Sequence, residues 1–137
     1  MDQKAQISIE YILLVAIILL VVLVFALIIT DQNEQNSVAT AAQLGASNAT
    51  ANMLFTNTSQ SPVKVTSVTM TDVNSTNINM VIHFSGPITN NATVIGSIIN
   101  SLQASGYSNI TNTSSSLTLT TTTSGAGIRH IYTISLG

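Results

Sequence analysis

Apolar residues follow three different rhythms along this chain. From Ile12 to Ile29 they are unbroken, with no charge, no glycine and no proline. At about 1.5 Å of rise per residue, a helix through this run spans roughly the hydrocarbon core of a bilayer. A helix in water needs a polar face, and this one has none. It therefore belongs in lipid or in a bundle of its own kind. Further on, Val38, Ala41, Ala42, Gly45, Ala49 and Met53 recur at helical intervals within polar sequence, the stripe of a one-sided helix. Most are small, which permits close approach of a neighbouring element. A flexible linker is the alternative for this stretch, because Gly45 and the Asn-rich Asp31–Ser37 segment have poor helix propensity. Pro62 ends the helix, and Ser61 before it is biased toward extended geometry.

The third rhythm is alternation. Val63, Val65, Val68 and Met70 alternate with polar residues apart from one slip near Thr66-Ser67, which predicts a strand with a bulge. Asn74-Ser75-Thr76 is the turn, and Ile78, Met80, Ile82 and Phe84 then alternate cleanly. Gly86-Pro87 breaks the pattern. Between Asn91 and Ala104, the residues Ala92, Ile95, Ile98, Ile99 and Leu102 share one helical face. Asn91 opens that helix as a candidate cap, and Gly106 is placed to close it. A weaker strand is expected near Tyr107–Thr111. Leu117–Thr123 and Ile128–Leu136 flank Ser124-Gly125-Ala126-Gly127 as a hairpin, with Ile128, Tyr132, Ile134 and Leu136 on a common face. The prediction is an α+β chain. A long N-terminal hydrophobic helix carries a small antiparallel β-sheet head with one packed helix. Residues 6–30 form the hydrophobic helix, 31–61 its polar continuation, and 62–137 a head rich in Ser, Thr and Asn.

Charge removes several classes of function. Three Lys or Arg face five Asp or Glu, with a formal net charge of −2. No basic footprint for a phosphate backbone is present, so nucleic-acid binding is not expected. There is no cysteine, hence neither a disulfide nor a thiolate metal site. Beyond Val63 the only charges are Lys64, Asp72 and Arg129. The head is kept in water by hydroxyls and amides instead.

The start of the chain carries a resemblance. Lys4-Ala5, then Gln6-Ile7-Ser8-Ile9-Glu10-Tyr11 and the aliphatic run, resembles the class III leader of archaeal type IV pilins. It lacks the Phe first residue typical of bacterial pilins and the Gly-rich start typical of archaellins. The resemblance covers about the first thirty residues. It implies a type IV pilin-like lollipop fold and a leader, residues 1–5, that a prepilin peptidase removes on the cytoplasmic side by cutting between Ala5 and Gln6. It further implies Lys4, Gln6, Ser8, Glu10 and Tyr11 as peptidase-recognition positions. The partners implied are a pilus assembly platform with its ATPase, the membrane before assembly, and copies of the same chain in a helical filament. The N-terminus would be cytoplasmic and the head extracellular, with one Lys before the run and Asp31 and Glu34 after it, in line with the positive-inside rule.

Cleavage would create an ammonium on Gln6, one helical turn from Glu10, able to pair with that carboxylate or with a neighbour's. By resemblance, that ammonium pairs with Glu10 of a neighbouring subunit and sets the axial register of assembly. The plainer alternative is that Glu10 marks the membrane boundary, where a carboxylate costs less than at mid-membrane. Tyr11 equally suits an interfacial anchor.

The remaining chemistry is thin. His83 and His130 lie on predicted strands and could meet across a sheet, but two His without carboxylates or Cys make a poor metal set. Strand-surface histidines are the plain reading, and neither a metal nor another cofactor is expected. Gly125-Ala126-Gly127 lacks the Lys and following helix of a phosphate loop. No Ser comes with a His and acid in sight, so no enzyme is expected. Six sequons fit the N-glycosylation acceptor pattern, at Asn48, Asn57, Asn74, Asn91, Asn109 and Asn112, though a chain this rich in Asn, Ser and Thr produces several by chance. The expectation is a structural subunit of an archaeal surface filament that serves adhesion. The alternative is a single-pass, glycosylated surface binding protein that never polymerises.

Overall fold

The structure, a computed structural model, describes residues 3–56, 59, 61–123 and 127–137, with the side chains of 3–5, 30, 31 and 123 outside that description. Its elements are helix α1 (Gln3–Thr56), strands β1 (Val65–Asp72) and β2 (Asn77–Phe84), helix α2 (Asn91–Ala104), and strands β3 (Ile110–Asn112), β4 (Ser116–Thr123) and β5 (Gly127–Leu136). The chain is α+β, and α1 ends at Thr56, ahead of Pro62. It divides into two compact units, Met1–Asn36 and Ser37–Gly137.

The first unit contains helix alone. Every large apolar side chain from Ile7 to Ile29 is exposed, Leu13 and Leu20 among the most open at 62% and 63%. The aliphatic residues surround the axis, so no rotation of the helix would hide them.

In the second unit five strands form one sheet in the order β1-β2-β5-β4-β3. β1–β2, β3–β4 and β4–β5 pair antiparallel, while β2 and β5 pair parallel at the centre. The sheet is therefore mixed, where alternation and turns predicted an antiparallel one. The cause lies in α2, which carries the chain back across the sheet so that β3 starts at the same end as β2. Two further reversals, β3 to β4 and β4 to β5, leave β5 parallel to β2. The expected bulge is present, as a register shift between Val65 and Ser67.

One face of the sheet supplies Ile78, Met80 and Ile82 from β2, Leu117 and Leu119 from β4, and Tyr132 and Ile134 from β5. These pack in one cluster with Val94, Ile95, Ile98 and Leu102 of α2 and with Val38, Ala41, Ala42, Ala46 and Ala49 of α1. The small stripe thus belongs to a core helix, not a linker. Gly45 explains its smallness: a Cβ built there would lie 2.6 Å from Ile98 Cα and 2.8 Å from the Ser97 carbonyl oxygen. The two helices meet backbone to backbone, and the Ser97 hydroxyl donates to the Gly45 carbonyl at 2.7 Å.

Helix α2 has the predicted span, but its cap is Asn90, whose side chain accepts from the Thr93 N–H, and not Asn91. At the other end Gly106 has φ +99. Its N–H donates to the Gln103 carbonyl and that of Tyr107 to the Leu102 carbonyl, each at 3.0 Å, the Schellman closure that a left-handed glycine allows. Of the predicted hairpin loop, 124–126 lie outside the described residues, while Thr123 and Gly127 face each other at its base. Ile128 does not share the inner face with Tyr132 and Ile134. A register shift lets Arg129 bulge, setting Ile128 opposite Thr122 on the outer side, and Ile128 is 59% exposed.

Candidate functional site

The residues that carry the leader resemblance lie in the first turns of α1. Gln6 through Glu10 are exposed, and Tyr11 is 66% exposed. The four-residue separation of Gln6 and Glu10 puts them on one face of the helix, one turn apart. The Ala5–Gln6 bond lies near the start of α1. Met1 and Asp2 lie outside the described residues, and of Lys4 and Ala5 only the backbone is described. Beyond this polar start the helix is apolar and long enough to cross a membrane.

The structure does not bring the two histidines together. β5 runs parallel to β2 with Asn77 opposite Ile131 and Ile82 opposite Leu136. His130 therefore sits level with the start of β2, and His83 level with the end of β5. Their separation along the sheet is about 20 Å, from the rise of a strand. Nor are both of them strand-surface residues. The His83 Nε2 lies 3.1 Å from the Thr69 hydroxyl on the outer face. His130 is buried and tilted against Tyr132, with ring centroids 5.9 Å apart. Among the described residues no three His, Cys, Asp or Glu converge on a common point.

The sequons fall in different settings. Asn48 is exposed on α1, but its Thr50 is buried. Asn74 lies in the loop between β1 and β2, Asn91 in the first turn of α2, Asn109 just before β3 and Asn112 at its end. Asn57 is outside the described residues.

Two surfaces were missed at the sequence level. On the outer face of the sheet, Thr111, Thr118, Thr133, Asn79 and Thr71 pair in sequence across all five strands. They form an uncharged row of hydroxyls and one amide. Alternation encodes the outward direction of each residue, but only register aligns them. On the part of α1 within the second unit, Leu44 and Phe55 are 57% and 85% exposed and share a helical face, three turns apart. The step from stripe to opposite face was readable for Leu44.

A family model described as Class III signal peptide matches residues 3–29. No curated protein and no solved structure matches the chain. The matched segment is the polar start and apolar helix just described, and it marks the chain as a precursor of the type IV pilin-like or archaeal-flagellin-like kind.

Proposed function

We propose that this chain is the structural subunit of an archaeal type IV pilus-like surface filament, assembled through its N-terminal helix and serving attachment to surfaces. One observation carries the reading: the class III match coincides with a helix exposed on every side. Covering a large aliphatic side chain is worth roughly 1.5–3 kcal/mol, so the run gains strongly from leaving water. Lipid and a bundle of sister helices both provide that cover. Transfer between them changes little hydrophobic energy, and packing and charge pairing decide the outcome. A precursor held in the membrane can therefore become a filament core.

In this reading a prepilin peptidase cuts between Ala5 and Gln6. The new ammonium of Gln6 meets Glu10 of the neighbouring subunit inside an apolar bundle. An unpaired carboxylate there is costly, so a subunit is held only at the axial offset that pairs the charges. The exposed Leu44 and Phe55 extend the surface that neighbours cover. The uncharged row of Thr71, Asn79, Thr133, Thr118 and Thr111 on the outer face of the sheet is what the filament presents for attachment.

The test is N-terminal mass determination together with shearing of cells that produce the protein. Sheared fibres should contain it with Gln6, free or cyclised, as first residue. An intact Met1 end, with all of the protein extracted only by detergent, would establish the non-polymerising surface binding protein instead.

A further inference from the structure

We infer that Asn74 is a glycan-bearing asparagine of this chain and that Asn48 stays bare. A sequon asks a transferase to reach two groups, the asparagine amide nitrogen and the hydroxyl two residues on. At Asn48 the second group is closed off. Thr50 is 6% exposed and Ala49 1%, and the Thr50 hydroxyl donates to the Ser47 carbonyl at 3.0 Å. The hydroxyl is thus both covered and engaged by the backbone of its own helix.

Asn74-Ser75-Thr76 is the only sequon among the described residues that lies wholly outside helix and strand. Asn74 and Ser75 are exposed and Thr76 half-buried. The backbone has already doubled back here: the Val73 and Asn74 N–H groups both donate to the Asn77 carbonyl, at 2.9 and 3.3 Å. The Asn74 side-chain oxygen accepts from the Thr76 N–H at 2.9 Å and the Asn77 N–H at 2.7 Å. This turn uses Oδ1 and the backbone. The atom that would bear a sugar is Nδ2, and a substituted amide keeps Oδ1 as an acceptor. A glycan at Asn74 therefore leaves every hydrogen bond of the turn in place.

The other described sequons are held differently. Asn91 to Thr93 are helical, with the Thr93 N–H bound by the Asn90 cap at 3.1 Å. Thr111 pairs with Thr118, and Asn112 with Leu117, in the β3–β4 ladder.

The donor required is a lipid-linked glycosyl phosphate, used by a membrane transferase on the exported side. The Asn74 Nδ2 bonds to the anomeric carbon as the bond from that carbon to the phosphate oxygen breaks. The phosphate leaves with the electron pair, and one amide proton passes to a base of the transferase. A glycan on this loop would solvate a head that has few charges of its own. The inference rests on export of the head, and not on its polymerisation.

The test is glycopeptide mapping of the protein purified from cells that make it, from both detergent-extracted envelopes and sheared material. Trypsin separates Asn48 from Asn74, because Lys64 lies between them, and side-chain-preserving fragmentation places the sugar within the second peptide. Three variants accompany the wild type. Asn74→Asp keeps the acceptor oxygen of the turn but removes the nucleophilic nitrogen. Thr76→Val keeps Asn74 and removes the hydroxyl, and Asn48→Asp is the control. The expected result is a glycan mass on Asn74 that is lost in both loop variants and unchanged in Asn48→Asp. Circular dichroism should show all three folded. A bare Asn74 in the wild type, or a glycan on Asn48, overturns the inference. A glycosylated Asn74 in a chain never found in sheared fibres would instead count against the filament.

Discussion

Gly45 and Glu10 show how much can rest on one position. At Gly45 the atoms that a side chain would strike belong to the backbone of α2, at 2.6 and 2.8 Å. A backbone cannot swing aside as a side-chain tip can. Gly45→Ala should therefore cost the head about 1–3 kcal/mol, the usual penalty of overpacking, although alanine is the better helix former. A urea midpoint lowered accordingly is the expected measurement. An unchanged midpoint would mean that α1 and α2 part without resistance. Glycine reads in sequence as a weak point of the helix, and it is instead the position of closest approach. Only the fold tells these apart, because Ser97 and Ile98 lie far along the chain. Glu10 requires a different readout. Charge-assisted hydrogen bonds contribute about 1.5–3 kcal/mol, and roughly 1.4 kcal/mol is a factor of ten. Glu10→Gln should leave membrane insertion intact and lower filament yield about tenfold or more. Normal yield would remove its pairing role.

Elements were legible where their signals are local. The limits of α2 follow from Ile95, Ile98, Ile99 and Leu102 on one face and from Gly106 past its end, and all hold. The cap moved by one residue because Asn90 and Asn91 are chemically identical, and only backbone direction chooses between them. Asn90→Ala should destabilise the head by about 0.5–2 kcal/mol, while Asn91→Ala should cost far less. Equal losses in thermal unfolding would refute that assignment. The central parallel pair had no such local signature. Turn residues specify hairpins, whereas the relation of β2 to β5 depends on a helix and two strands between them. The bulge at Arg129 was equally hidden, since Ile128 keeps the right parity for the core until an extra residue reverses it. His130, on the near side of the bulge, keeps the parity of Tyr132 and Ile134 and so lies on the inner side, packed on Tyr132. In the leader, by contrast, order and spacing were enough. Gln6 and Glu10 lie one turn apart in any helix, so the geometry of the candidate site needed no tertiary information.

For the whole molecule, the division of labour between the two units is itself a testable claim. Each buried apolar residue of the described chain lies at Val38 or later, so none of the described side chains before Ser37 belongs to that core. Hydrophobic burial is the dominant favourable term in folding. Removing residues that supply none of the apolar core should leave the stability of the rest almost untouched. A fragment of Ser37–Gly137 should therefore unfold cooperatively, at a midpoint close to that of the head in the detergent-solubilised full chain. It should also elute as a monomer, because it lacks the apolar run that needs cover. Leu44 and Phe55 remain exposed on it, but two side chains offer far less than the area a stable interface buries. Restoring residues 6–36 should restore the need for lipid, detergent or sister helices. If the fragment forms fibres by itself, then assembly is written into the head, and the N-terminal helix is reduced to an anchor.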